Sequence, residues 1–256
     1  MIDSRAIIDP SAKLADDVEV GPWSIIGPDV EIGAGTVIGP HVVIKGPSKI
    51  GKNNRFFQFS SVGEECQDKK YAGEPTTLVM GDNNVIREGV TIHRGTVQDA
   101  GTTIIGSDNL FMANVHVAHD CVIGSHVIMA NNTAVAGHVH VGDWAILGGF
   151  TAVHQFCKIG AHVMCGTCSV VLKDIPAFVM ANGNTAKPHG INVEGLKRRG
   201  YTSDAITALK RAYKTVYRNK LTTAQALAEL HSVVDSHPEV QLLIDSIQSS
   251  SRGIIR

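Results

Sequence analysis

The chain has 256 residues, a formal net charge of −1, and 43% hydrophobic against 18% charged residues. So even a balance leaves no overall electrostatic footprint for nucleic acid, and no apolar run reaches the ~18 residues that mark a membrane span, so stable membrane insertion is not expected. Aromatics are only 5% while glycines number 26, which points to a core of small and aliphatic side chains in thin layers.

The opening MIDSRAIIDP lacks a basic segment followed by an apolar one, so no signal peptide is expected and a cytoplasmic setting is read. From Ile2 an aliphatic residue recurs every six positions: Ile8, Leu14, Val20, Ile26, Ile32, Ile38, Ile44, Ile50, Phe56 and Val62. The register returns at Met80, Ile86 and Ile92, shifts by one, and then runs from Ile105 through Phe111, Val117, Ile123 and on to Val171. Neither the period of an α-helix nor that of a single strand produces this repeat. A parallel β-helix does: each hexad makes a short strand and a turn, and three hexads close a triangular coil. The first and fifth positions then point inward. Glycine often follows the anchor, as at Gly21, Gly33 and Gly106, where a Cβ would crowd the corner.

Two polar segments interrupt the period, near 64–79 and 98–104, and are read as loops reaching toward a ligand or a neighbouring copy. The pattern stops near Pro176. Coils with these insertions are assigned to 1–190 and an α-helical C-terminal domain to 191–256. Helices are predicted around 194–200, 203–219, 222–236 and 238–249, with Thr202 or Ser203 and Thr222 or Thr223 as caps. Lys187, Lys197, Arg198, Arg199, Lys210, Arg211, Lys214, Arg218 and Lys220 face only Glu194 and Asp204 in that stretch. Such a run is either a solvated helix face or a docking patch for an acidic partner or phosphates. Cys165 and Cys168 form a lone C-x-x-C without a second pair, so the cysteines are read as free buried thiols in a reducing compartment.

A stack of flat coils has no deep pocket of its own, so a cleft must form between loops or between subunits, and threefold packing of prisms is the natural assembly. Histidines gather in the middle coils: His93, His116, His119, His138 and His154. Residues one coil apart lie above one another at about 4.8 Å. That places His119, Gly137 and Gln155 in one column and Asp120, His138 and Phe156 in the next. His119 is at the outward third position and suits a general base, with Asp120 as its orienting carboxylate. Gly137, one coil away, offers an unobstructed N–H to a developing oxyanion. Cys121 and Cys157 fall at inward positions, which favours direct transfer over a covalent enzyme intermediate.

The segments YAGEPT (71–76), TIHRGT (91–96), NVHVAHDCVIG (114–124), AGHV (136–139), TAVHQFCKIGAHVM (151–164) and GLKRRGY (195–201) closely resemble the UDP-N-acetylglucosamine O-acyltransferase family, over essentially the whole chain. The resemblance implies an all-β left-handed parallel β-helix with a helical tail, assembled as a homotrimer. It implies transfer of an (R)-3-hydroxyacyl group from acyl carrier protein to the 3-hydroxyl of UDP-N-acetylglucosamine, the first step of lipid A biosynthesis, without metal or other cofactor. His119, Asp120 and Gly137 match the family's base, its partner and the oxyanion donor. Asp68 and Lys70 match residues holding sugar and acyl groups. His93, His116, His138, His154 and Gln155 match cleft residues, and Asn192, Glu194, Arg198 and Arg199 match residues around the nucleotide. Thr167 stands where the family's best-known form carries glycine on the floor of the acyl groove, which implies a shorter preferred acyl chain.

Other readings of the same fold are a zinc hydratase using His93, His116 and His119, a nucleotide-sugar N-acyltransferase, a coenzyme A-dependent acetyltransferase, and a non-enzymatic scaffold. The N-acyltransferase normally carries a separate domain before its coils. The acetyltransferase lacks the YAGEPT and GLKRRGY segments, and a scaffold has no use for an edge row of histidines. Whether the acceptor carries a 3-hydroxyl or a 3-amino group is not decided by these residues.

Overall fold

Most hexads fold into a two-residue strand followed by a turn, and each turn carries the chain onto the next face of a triangular prism. The computed structural model describes residues 1–256. Its strands form three sheets of nine, eight and ten strands, parallel throughout the coils, and the coils wind as a left-handed β-helix. The first face holds His116–Val117, Ala134–Val135 and Ala152–Val153 in register. The second holds Val122–Ile123, His140–Val141 and Lys158–Ile159, and the third Ile128–Met129, Ile146–Leu147 and Met164–Cys165.

Inward first and fifth positions fill the prism. Ile86, Phe111, Met129 and Leu147 are fully buried, each contributing about 1.5–3 kcal/mol of apolar burial. The glycines after the anchors are required by close approach of the next coil. A Cβ on Gly21 would lie 2.7 Å from the Gly39 carbonyl carbon, and one on Gly33 2.7 Å from that of Gly51. The turns themselves demand a left-handed residue at the fourth position, which the chain fills with non-glycine side chains such as Asp120 (φ 57), His138 (φ 62) and Trp144 (φ 62). That conformation costs about 1–2 kcal/mol per residue. Stacking in columns offsets part of it: His126 lies on Trp144 at 3.9 Å between ring centroids, and His138 on Phe156 at 4.3 Å.

Both insertions end earlier in the chain than the sequence suggests, because their last expected residues rejoin the second face as the strands Thr77–Met80 and Thr102–Ile105. The loops proper are residues 65–76 and 94–101. Register across them is kept by a buried asparagine ladder. The Asn54 carboxamide oxygen accepts from Asn84 N–H, thirty residues on (2.8 Å), that of Asn84 from Asn109 N–H (3.0 Å), and that of Asn109 from Val127 N–H (2.7 Å). Their amide groups donate to the carbonyls of Gly81, Gly106 and Gly124.

The coil ends where Lys187–Ile191 turns back antiparallel on Val179–Asn182. Helices α1 (Val193–Arg198), α2 (Ser203–Tyr217), α3 (Thr223–His231) and α4 (Val240–Gln248) follow. Thr202 and Thr222 cap α2 and α3, the latter in a capping box with Gln225. The third helix stops at His231, short of the predicted 236. The Asp174 carboxylate accepts from Lys158 N–H and the Ser250 hydroxyl, tying the tail to the last coils. One continuous apolar cluster runs from the coils into the helices. All five cysteines are free, but Cys168 is exposed, because it occupies a left-handed turn position and not an inward one; this corrects the expectation of a wholly buried set. No helix is long and apolar enough to cross a membrane.

Asn84→Ala removes the acceptor of Asn109 N–H and the donor to the Gly106 carbonyl inside a dry core. Urea unfolding is expected to show a loss of about 3 kcal/mol; an unchanged midpoint would dismiss the ladder as a register device.

Candidate active site

The turns between the first and second faces stack the column foreseen from the repeat. His119 points outward at 15% side-chain exposure, with Nδ1 2.9 Å from the Asp120 carboxylate, which is completely buried. That carboxylate also accepts from Thr96 N–H (2.9 and 3.0 Å) and the Thr96 hydroxyl (2.6 Å). A carboxylate surrounded by donors holds the imidazole by its Nδ1–H, so the Nε2 lone pair of His119 is left free on the outward side. Thr96 belongs to the TIHRGT segment, yet nothing in its spacing announced this contact, which depends on the 94–101 loop folding back.

Directly above, a Cβ on Gly137 would lie 2.6 Å from both Cε1 and Nε2 of His119. Any side chain there would displace the ring. The Gly137 N–H makes no hydrogen bond within the chain, as at the other third positions of these turns, while its carbonyl accepts from Phe156 N–H (3.1 Å). His119 thus has both a basic nitrogen and an open N–H beside it.

His138 stands edge-on to His119 at 4.9 Å, stacks on Phe156, and holds its Nδ1 2.6 Å from Asp99 of the second loop. Asp99 is a second contact that spacing did not reveal. The cluster of potential metal ligands within 4.8 Å of one another is His119, Asp120 and His138. It is not the His93, His116 and His119 set a zinc hydratase would use, and two of its ring nitrogens are already engaged by carboxylates.

A cleft of about 490 Å³ lies against the first face, lined by Gln67, Asp68, His93, His116, His119, Gly137 and Gln155 over a floor of Ala118, Ala134, Ala136 and Ala152. The small outward alanines, an unused sequence signal, leave room above the sheet. His93 Nδ1 lies 2.6 Å from the Glu65 carbonyl and His116 Nδ1 2.7 Å from the Thr91 hydroxyl. Burial lowers the pKa of His93 and pushes His116 down to about 4. Cys121 and Cys157 point inward, and burial pushes their thiols up to about 12 and about 11.

Lys70 and His154 are exposed outside this lining; Lys70 N–H caps Asp68 (2.9 Å). The tail residues sit at a different corner, between the second and third faces. Asn192 caps α1 and donates to the His162 carbonyl (3.1 Å). Arg199 donates to the Trp144 carbonyl (2.9 Å), lies 5.2 Å over the Trp144 ring, and touches His162, whose pKa falls to about 4 through burial and then the Arg199 charge. Glu194 and Arg198 form an exposed pair at 3.8 Å. Thr167 is exposed at the third corner, between the third and first faces. Within one chain these five residues do not face the cleft.

Fold and site together define a hexapeptide-repeat transferase. The model of the bacterial transferase hexapeptide repeat matches residues 102–137, and that described as UDP N-acetylglucosamine O-acyltransferase, domain 2, matches residues 174–255. An acyl-[acyl-carrier-protein]–UDP-N-acetylglucosamine O-acyltransferase of Stutzerimonas stutzeri is 63% identical over 100% of this chain and 99% of its own. The solved UDP-N-acetylglucosamine O-acyltransferase of Moraxella catarrhalis superposes with a TM-score of 0.98 at 52% identity, covering 100% of this chain and 99% of that one. The Arabidopsis UDP-N-acetylglucosamine acyltransferase gives 0.86 at 34%, covering 100% of both. The chain belongs to the UDP-N-acetylglucosamine O-acyltransferase family.

His116 and His162 each fall from 6.5 to about 4 in the folded state. Below 6.5 the unfolded chain therefore binds more protons, and folding stability declines as pH drops from there toward about 4. An NMR titration should find both rings still neutral at pH ~5, and protonation of either at its ordinary pH would contradict the burial argument.

Proposed function

We propose that this chain transfers an (R)-3-hydroxyacyl group from acyl carrier protein to the 3-hydroxyl of UDP-N-acetylglucosamine, the first step of lipid A biosynthesis, in the cytoplasm, by direct general-base catalysis. The observation that carries the reading is the pairing of His119, held by Asp120 through Nδ1, with the open N–H of Gly137. In the proposed step His119 Nε2 takes the proton of the sugar hydroxyl as its oxygen attacks the thioester carbonyl. Asp120 stabilises the imidazolium, and Gly137 N–H donates to the oxyanion of the tetrahedral intermediate. Collapse breaks the C–S bond, and the carrier's thiol leaves with the proton that His119 returns. The inward, weakly acidic cysteines support a path without a covalent acyl-enzyme.

Asn192, Glu194, Arg198 and Arg199 can reach this cleft only from another copy, which accords with a homotrimer whose sites are shared. In that assembly they would take the nucleotide, while Asp68, Lys70, His93, His116, His138, His154 and Gln155 surround the sugar and acyl head. Exposed Lys210, Arg211, Lys214, Arg218 and Lys220 would draw the acidic carrier in a salt-sensitive encounter.

His119→Ala is expected to lower turnover by about 10²–10⁴-fold while leaving the circular dichroism spectrum and oligomeric mass unchanged; near-normal transfer would refute the base assignment. Thr167→Gly is expected to move the preferred acyl length upward in a competition assay with carrier-bound donors, because a smaller residue lengthens the groove. An unchanged preference would remove Thr167 from the length-setting role.

A further inference from the structure

Two ring protons in the cleft are decided by neighbours outside the reacting pair. His93 Nδ1 faces the Glu65 carbonyl at 2.6 Å. A carbonyl only accepts, so Nδ1 carries the proton and Nε2 keeps its lone pair. This carbonyl is aimed by an irregularity in the strand Ser61–Glu64, where Gly63 adopts φ 75 and the pairing with Thr91–His93 slips. The buried Arg94 guanidinium braces the same segment, donating to the carbonyls of Gly46 (2.9 Å) and Gly63 (2.7 Å) and to the Tyr71 hydroxyl (3.2 Å).

His116 Nδ1 faces the Thr91 hydroxyl at 2.7 Å. That hydroxyl bonds to no other group within the chain, so its proton is free to go to Nδ1, which would place the ring proton of His116 on Nε2. Burial keeps both rings neutral. Neither Nε2 is bonded within the chain, both rings line the cleft, and their centroids are 5.3 Å apart at an interplanar angle of 71°.

Building on the acyl-transfer reading, we propose that Thr91 and the Glu65 carbonyl are positioning groups that hold His116 and His93 in opposite tautomers, so that the pair grips one substrate alcohol. His116 Nε2–H donates to its oxygen and His93 Nε2 accepts its proton. An alcohol donates and accepts through a single atom, and hydrogen bonds of about 2.8 Å to each ring fit rings this close. An ester or ether oxygen leaves His93 without a donor. A secondary amide directs its N–H and carbonyl in opposite directions and does not fit between adjacent rings. The alcohol comes from one of two sources: the 3-hydroxyl of the acyl chain, or a sugar hydroxyl other than the one deprotonated by His119.

Long-range ¹H–¹⁵N correlation spectra of the unliganded protein report the tautomers directly. The expected result is Nδ1–H for His93 and Nε2–H for His116; the same tautomer in both overturns the proposal. In Thr91→Val, which keeps side-chain shape, the His116 signal should move to a mixed tautomer and kcat/KM should fall about tenfold. Thr91→Ser should restore both. Parallel assays use a carrier-bound acyl donor lacking its 3-hydroxyl and sugar nucleotides lacking the 4- or the 6-hydroxyl. The deoxy substrate that is poor for the unmodified chain but incurs no further loss in Thr91→Val identifies the alcohol. A variant that leaves either the His116 spectrum or the discrimination among these substrates unchanged also overturns the proposal. Turnover of the full substrates by the unmodified chain tests acyl transfer separately, so the tautomer assignment can fail while that reading stands.

Discussion

Vertical registry between successive coils is the constraint on which the rest of this molecule depends. With strands of only two residues, no single strand pair holds itself together. Stability comes from repeating the same pairing up each face, so that the backbone groups of the strands meet their counterparts one coil away. This explains why glycine follows so many anchors and why the asparagine ladder sits where the insertions threaten the register. It also explains how a column of chemically active side chains can be placed to within hydrogen-bonding distance by residues far apart in sequence.

The same constraint puts functional groups at strained positions. Each corner needs a left-handed residue, and at the corner between the first and second faces those residues are Asp120, His138 and Phe156. The cost is met by neighbours: Thr96 saturates the Asp120 carboxylate, and Phe156 and Asp99 hold His138. A rigid turn then offers His119 on one level and an open peptide N–H on the next. Rigidity matters for the proposed step because an oxyanion donor is effective only when it needs no reorganisation during the reaction.

The two interruptions of the repeat serve that corner from outside. The 94–101 loop supplies Thr96 and Asp99. The 65–76 loop supplies Asp68 to the cleft and the Glu65 carbonyl to His93. The surroundings of the histidines differ to match: burial lowers the pKa of His93 and His116, while His119 has the buried Asp120 carboxylate behind its Nδ1. Neighbouring histidines of identical chemistry are thereby given different environments.

The six-residue period by itself determined the triangular coil, its inward positions and the stacking of His119 beneath Gly137, because a strict repeat converts sequence distance into spatial distance; helical spacing gave the tail, while the structure chose Thr202 and Thr222 between the two capping candidates at each helix. That conversion fails wherever the period breaks. The return of Thr77–Met80 and Thr102–Ile105 to the second face, the contacts of Thr96, Asp99 and Glu65, and the exposure of Cys168 depend on how irregular backbone folds over a regular scaffold. The tail residues Asn192 and Arg199 were legible as a group, but only the tertiary structure placed them at a corner remote from the cleft of their own chain, since a helix docked on the last coil takes its position from packing against Trp144 and His162 and not from any repeat.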